Sequence, residues 1–385
     1  MAVFANISSK IIQSEIRTMS IECSKVHGIN LSQGFSDTDI NKVISEGAKR
    51  AIDNGTNHYT RYDGLPELRT AISKKLERYN GISADPETEI IVTSGSTAAL
   101  FCVLFALCKP KDEVILFEPY YGYHLNTLFA VNLTPKYVTL RPPEWKINIE
   151  ELEKQISHKT KAIVLNTPTN PSGKIFSKKE ILLIGAVARK HNLMIITDEI
   201  YEYFLYDNAK HVSPGSLREL KDITITISGY SKTYSITGWR IGYIACPADI
   251  AQVIGYVHDL IYVCAPAPLQ MGVVAGIEKL GDEFYENLRQ MYHRKRDILC
   301  SALATAGLTP IIPQGAYYVL ADISKLHGTT SKARVMELLR QTKVAAVPGM
   351  AFYHGSAGES IARFCFAKRD EILEEAAQRI ASLRL

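Results

Sequence analysis

Two kinds of hydrophobic pattern alternate along this chain. Short, mostly apolar runs stand at 89–93, 113–117, 162–165, 193–197 and 223–227. Each is too short for a helix and is bounded by turn-forming residues, so each predicts a β-strand. Between and after them, apolar residues recur at helical spacing. That pattern predicts helices over 8–26, ending at His27-Gly28, over 41–54, from Pro66 onward, over 98–108 and over 249–263. A proline in the first turn suits the helix that starts at Pro66. The segment Cys264-Ala265-Pro266-Ala267-Pro268 breaks the pattern, and long helical stretches follow at 269–280, 283–307, 331–341 and 371–383, with short strand-like pieces at 316–321 and 361–367. Strands alternating with helices imply a mostly parallel sheet flanked by helices. The expected fold is therefore α/β, with a large domain over 35–270 and a smaller α+β domain made of 1–34 and 271–385. A cleft between two such domains is where a small ligand usually sits.

Composition narrows the function classes. A length of 385 residues suits two domains, and a hydrophobic content of 46% can fill their cores. The 44 basic and 40 acidic residues nearly balance and are scattered, so no nucleic-acid footprint is implied. The seven cysteines form no Cys-x-x-Cys pair and read as small buried hydrophobes in a reducing compartment. The ten histidines show no metal-ligand spacing, so no metal is expected. No apolar run approaches the ~20 residues that span a bilayer; the stretch 98–108 predicts a buried helix instead. The first ten residues lack a charged start and apolar core of the signal-peptide kind. A cytoplasmic protein is the expectation.

The chemistry gathers at strand ends. Tyr121, Asn166, Asp198 and Ser228 each fall at or just past the end of a separate predicted strand. In parallel sheets ligands bind off the carboxyl ends of the strands, so these residues are expected to face one crevice. Ser94-Gly95-Ser96-Thr97 opens the helix over 98–108. Free N–H groups, hydroxyls and the positive end of the helix dipole make an anion cup there. Asp198 is read either as a helix N-cap or as a carboxylate awaiting a cation. Lys232 stands after a strand and a small-residue turn, where desolvation makes an amine nucleophilic. Arg240 lies between Gly238 and Gly242 and can fork onto a phosphate. A lysine amine with a phosphate-binding arginine is what a pyridoxal phosphate enzyme needs.

The string Ser228-Gly229-Tyr230-Ser231-Lys232, with Gly238-Trp239-Arg240-Ile241-Gly242 after it, resembles the lysine signature of class I/II pyridoxal-phosphate-dependent aminotransferases, enzymes of fold type I. The likeness extends over nearly the whole chain. Asn166-Thr167-Pro168-Thr169-Asn170-Pro171-Ser172-Gly173 matches the family's Asn-x-Pro-x-Asn-Pro-x-Gly, Asp198-Glu199-Ile200-Tyr201 its Asp-x-x-Tyr, and Tyr59 with Asp63-Gly64 its Tyr-x-x-x-Asp-Gly. Arg363-Phe364-Cys365-Phe366 matches a family string near the C-terminus. Leu31-Ser32-Gln33-Gly34-Phe35 is most similar to the kynurenine, glutamine and methionine aminotransferase branch, although Ser36 stands where that branch usually has proline.

The resemblance implies a role for each matched residue. Lys232 would form a Schiff base with pyridoxal 5'-phosphate and then serve as general base and acid. Gly95, Ser96, Thr97, Ser228, Ser231 and Arg240 would hold the phosphate. Gly229 replaces a serine that some relatives carry, which leaves the division of labour between Ser228 and Ser231 open. Tyr121 would stack on the ring, with Tyr120 or Tyr123 as core packing. Asp198 would face the ring nitrogen, and Asn170 and Tyr201 the phenolic oxygen. Gly34, Asn170 and Arg363 would bind substrate. Tyr59 would reach the neighbouring cofactor in a homodimer.

The implied reaction moves the amino group of an L-amino acid to a 2-oxo acid. The absence of arginine and lysine from 260–268 favours aromatic amino acids, methionine or glutamine over aspartate as donors, although Arg17 or Arg61 can still supply a charge. β-Elimination lyases, oxidases and cyclising enzymes share the scaffold and are the alternatives within enzymes. No partner nucleic acid or membrane is expected.

Overall fold

The computed structural model describes residue 11 and residues 13–385. The first part of the described chain holds α1 (Glu15–Lys25), β1 (Ile29–Asn30), α2 (Lys42–Asp53) and α3 (Pro66–Lys75). The α/β region follows with β2 (Ile90–Thr93), α4 (Ser96–Leu107), β3 (Glu113–Glu118), α5 (Gly122–Ala130), β4 (Thr134–Thr139), α6 (Ile149–Lys154), β5 (Thr160–Asn166), α7 (Lys178–Lys190), β6 (Met194–Asp198), β7 (Thr224–Gly229), β8 (Gly242–Ala245) and α8 (Ala248–Tyr262). The last part holds α9 (Ala267–Lys279), α10 (Asp282–Thr305), β9 (Thr309–Ile311), β10 (Tyr318–Asp322), α11 (Ser331–Thr342), β11 (Val344–Ala345), β12 (Val347–Pro348), β13 (Ile361–Cys365) and α12 (Asp370–Ala381).

Seven strands form the central sheet in the order β2-β8-β7-β6-β5-β3-β4, in which only β8 runs against the rest. Strands β2, β3 and β7 are buried along their whole length. That burial explains why they read as continuous apolar or small-residue runs rather than alternating ones. Strand β4 escapes the sequence pattern. It is an edge strand carrying Pro135 and Lys136, residues that the outer row of a sheet tolerates.

A second sheet, β12-β13-β10-β9, is antiparallel. Strand β1 pairs in parallel with β11, and Cys365 donates its N–H to the Leu31 carbonyl. The segment after α1 is thus tied to the C-terminal part of the chain. One core cluster joins Met19, Cys23 and Leu31 to side chains of α10, α11 and α12, among them Leu299, Leu338 and Leu373.

Two expectations change. The helix expected from residue 8 begins at Glu15, because the Ser14 hydroxyl accepts from the Ile16 N–H and caps it there. Residues 8–10 and 12 lie outside the described residues. Helix α4 is not buried all round: Phe105 is exposed and Phe101 stacks on it at 6.0 Å.

Candidate active site

Sheet register brings the chemistry to one edge. Asn166 lies opposite Asp198, Asp198 opposite Ile227, and Gly242 pairs with both Thr93 and Gly229. Four strand ends and the start of α4 therefore meet along one line, as a parallel sheet requires. A cavity of about 700 Å³ opens here, lined by Lys232, Gly34, Tyr121, Asn170 and Arg363, together with one face of α1.

Lys232 is half-buried and opens on that cavity. Its Nζ donates to the Gly34 carbonyl at 3.1 Å, and the Tyr317 hydroxyl donates to the same oxygen at 3.0 Å. Burial pushes the ammonium down to about 8. Arg240 and Arg363 push the same way, while Cys365 and Asp198 oppose them. An amine with this affinity for protons is a usable base and nucleophile near neutral pH.

The start of α4 is built for an anion. Gly95 sits at φ +87° as its N-cap, and no side chain caps the helix. The first amide turned back into the helix is that of Ala99, bonded to the Gly95 carbonyl, so the N–H groups of Ser96, Thr97 and Ala98 point outward. The guanidinium of Arg240 lies against Gly95, in the space that a Cβ there would fill. Gly242 approaches as closely: a Cβ on it would come within 2.7 Å of the Ser96 nitrogen. Ser231 is buried beside Lys232. Outward N–H groups beside an arginine fork fit a phosphate.

Deeper in, Asp198 accepts from or donates to His124 Nε2 at 2.9 Å, and its Oδ1 accepts the Ile200 N–H. Asn166 orients the loop after β5: its Nδ2 donates to the Asp198 carbonyl and its Oδ1 accepts the Asn170 N–H. The Asn170 Oδ1 accepts from Arg363 Nη1 at 2.9 Å, which leaves its Nδ2 without a partner among the described residues. Arg363 is fully buried, and its Nη2 donates to the Ser32 carbonyl at 2.6 Å. The Tyr318 ring lies 4.3 Å from its guanidinium carbon, and its Nε has no partner. A buried guanidinium left short of acceptors is poised for a carboxylate. Tyr201 and Tyr318 share a hydroxyl contact of 2.9 Å, and burial raises both phenols. Gly34 is a glycine by necessity, because any Cβ would collide with the Tyr318 hydroxyl. The Tyr121 ring stands edge-on to His124 at 5.3 Å, stacked with Tyr123.

Two residues lie apart from this set. The Ser228 hydroxyl donates to Glu202 Oε1 at 3.0 Å, within a buried network that includes Lys75. Its hydroxyl is therefore committed to that network and not to the cup at α4, where the sequence pattern expects it. Tyr59 is 83% exposed and touches nothing in the cavity of its own chain. Sequence reasoning missed His124, Tyr317, Tyr318 and the cavity-lining face of α1. His124 falls one helical turn after Tyr121, which was its only local signal.

With this geometry in place, the comparisons with known proteins are decisive about the class. The family described as "Aminotransferase class I and II" matches residues 26–380. The aspartate aminotransferase of Pyrococcus abyssi is 38% identical, over 95% of this chain and 94% of its own. The kynurenine–oxoglutarate transaminase of Dictyostelium discoideum is 34% identical, over 94% and 92%. A solved Escherichia coli structure, described as identifying a methionine aminotransferase function, superposes with a TM-score of 0.95 at 30% identity and covers 100% of both chains. The chain belongs to the class I and II aminotransferases, fold type I enzymes that use pyridoxal 5'-phosphate. No helix among the described residues is long and apolar enough to cross a membrane.

Proposed function

We propose that Lys232 is the amine through which this aminotransferase works, taking the amino group of an aromatic amino acid, methionine or glutamine and passing it to a 2-oxo acid. The observation that carries the reading is the half-buried Lys232, its ammonium lowered to about 8, at the mouth of a cavity that also holds the under-bonded Arg363. Bound pyridoxal phosphate supplies an aldehyde and an electron-withdrawing ring. The α4 N–H groups, Ser231 and Arg240 hold its phosphate. Asp198, steadied by His124, faces the ring nitrogen. Asn170 and Tyr201 face the phenolic oxygen, and Tyr121 covers the ring. Arg363 forks onto the substrate α-carboxylate, with Gly34 giving the main chain its close approach. Lys232 Nζ then accepts the proton leaving the substrate α-carbon and returns it. Phe35, Tyr121, Tyr123 and Tyr318 give the cavity an aromatic wall that suits an apolar donor.

The working unit in this reading is a homodimer. Tyr256, Leu260, Ile261, Tyr262 and Val263 of α8 and its C-cap are exposed, as are Tyr59 and Phe105. An apolar surface of this kind marks a contact face. Sedimentation at the mass of two chains is expected.

The experiment is a panel of L-amino acids given to the holoenzyme with a 2-oxo acid acceptor. Transfer appears as one new 2-oxo acid for each new amino acid. Ammonia formed while the acceptor is untouched, or peroxide, would overturn the reading in favour of elimination or oxidation.

A further inference from the structure

The cavity has a second cation that the reaction as described leaves unused. Its lining includes Arg17, Lys25, Lys232 and Arg363 and no aspartate or glutamate. Lys25 is bonded to Glu22 at 2.7 Å. Lys232 and Arg363 have the roles given above. Arg17 remains. It is exposed, and among the described residues it has no ion pair and no side-chain hydrogen bond. The other carboxylate of its helix, Glu15, is bonded to Lys332 at 2.5 Å. No Asp or Glu precedes Glu15 in the sequence, so the first residues bring no acidic partner either.

Helical geometry aims this residue. Arg17, Ser20, Ile21 and Ser24 recur at spacings of three and four and line the cavity, while Met19 and Cys23 face the core on the opposite side. The same wall is thus apolar at Ile21 and cationic at Arg17. An exposed guanidinium stays hydrated when the neighbouring ligand is apolar, and it forks onto a carboxylate when one is present.

We propose that Arg17 binds the distal carboxylate of a dicarboxylic 2-oxo acid, the acceptor, whose α-carboxylate lies on Arg363. This rests on the transaminase reading above and makes Arg17 a specificity-determining residue. One cavity then serves an apolar donor and a doubly charged acceptor in turn.

The test compares the wild-type holoenzyme with Arg17→Ala and Arg17→Lys. For each, kcat/KM is measured with 2-oxoglutarate and with 2-oxohexanoate, a monocarboxylic acid of matching length. The ratio of the two is expected to fall about tenfold in Arg17→Ala, through KM, and to recover in part in Arg17→Lys. The wild-type ratio is also expected to fall as salt rises, because the fork is exposed. A ratio that does not move overturns the proposal, whether both activities fall together or neither does. Dissociation constants of glutarate and hexanoate, read by calorimetry on the same proteins, decide the matter without turnover. If the wild type transfers no amino group, the transaminase reading falls, while the glutarate-to-hexanoate ratio still accepts or rejects Arg17.

Discussion

Two lysines stand near the carboxyl end of β7, and they have opposite fates. Lys75 is buried, with its Nζ 2.5 Å from Glu202 Oε1, 2.9 Å from Asn80 Oδ1 and 3.1 Å from the Tyr243 hydroxyl. Burial alone would raise the Glu202 carboxyl, but Lys75, His211 and Asn80 outweigh it and hold it below the usual carboxylate range. Lys232 has no carboxylate in contact; its one hydrogen bond goes to the Gly34 carbonyl. A lysine whose donors are all taken is a structural strut. A lysine desolvated without a counter-ion gives up its proton readily and is available for chemistry. Burial is common to both, and the partner decides.

The largest effect should come from Lys232→Ala. Transfer is expected to drop about ten-thousand-fold with the fold intact by circular dichroism, because the base and the cofactor's attachment point are removed together. Next, Glu202→Gln should cost about 3–5 kcal/mol in denaturant unfolding, since it leaves the Lys75 charge buried and unpaired. Activity per folded molecule should survive; its complete loss would erase the distinction between the two lysines. Third, Lys232→Met should stabilise the cofactor-free protein by about 1–3 kcal/mol at pH 7. The folded value of about 8 lies below the ordinary 10.5, so the unfolded chain binds more protons between these limits and wild-type stability rises across that window. The advantage of the methionine should therefore shrink from pH 8 upward and vanish above 10.5. Smallest is His124→Phe, expected to lower kcat about tenfold with less effect on KM, by freeing the Asp198 carboxylate from its partner.

The strands, most helices and the strand-end placement of Tyr121, Asn166, Asp198 and Ser228 were legible from the sequence. These features rest on local periods and turn residues, and a parallel sheet does the rest. The phosphate cup at Ser96 was legible for the same reason, since a small-residue strand–helix junction is local. Strand β4 and the start of α1 were not, because an edge position and a serine cap outweighed the periodic signal.

What only the tertiary structure decided is which side chain answers which. Ser228 turns to Glu202, Tyr318 lies under Arg363, His124 backs Asp198, and Arg17 reaches the cavity without an acidic partner. Each pairing joins residues from separate elements, and a contact of that kind leaves no period or spacing in the chain. The sequence could place a lysine and an arginine at the mouth of a sheet. Whether each stood beside a carboxylate or alone depended on how distant segments packed, and that packing separates a strut from a reactive amine.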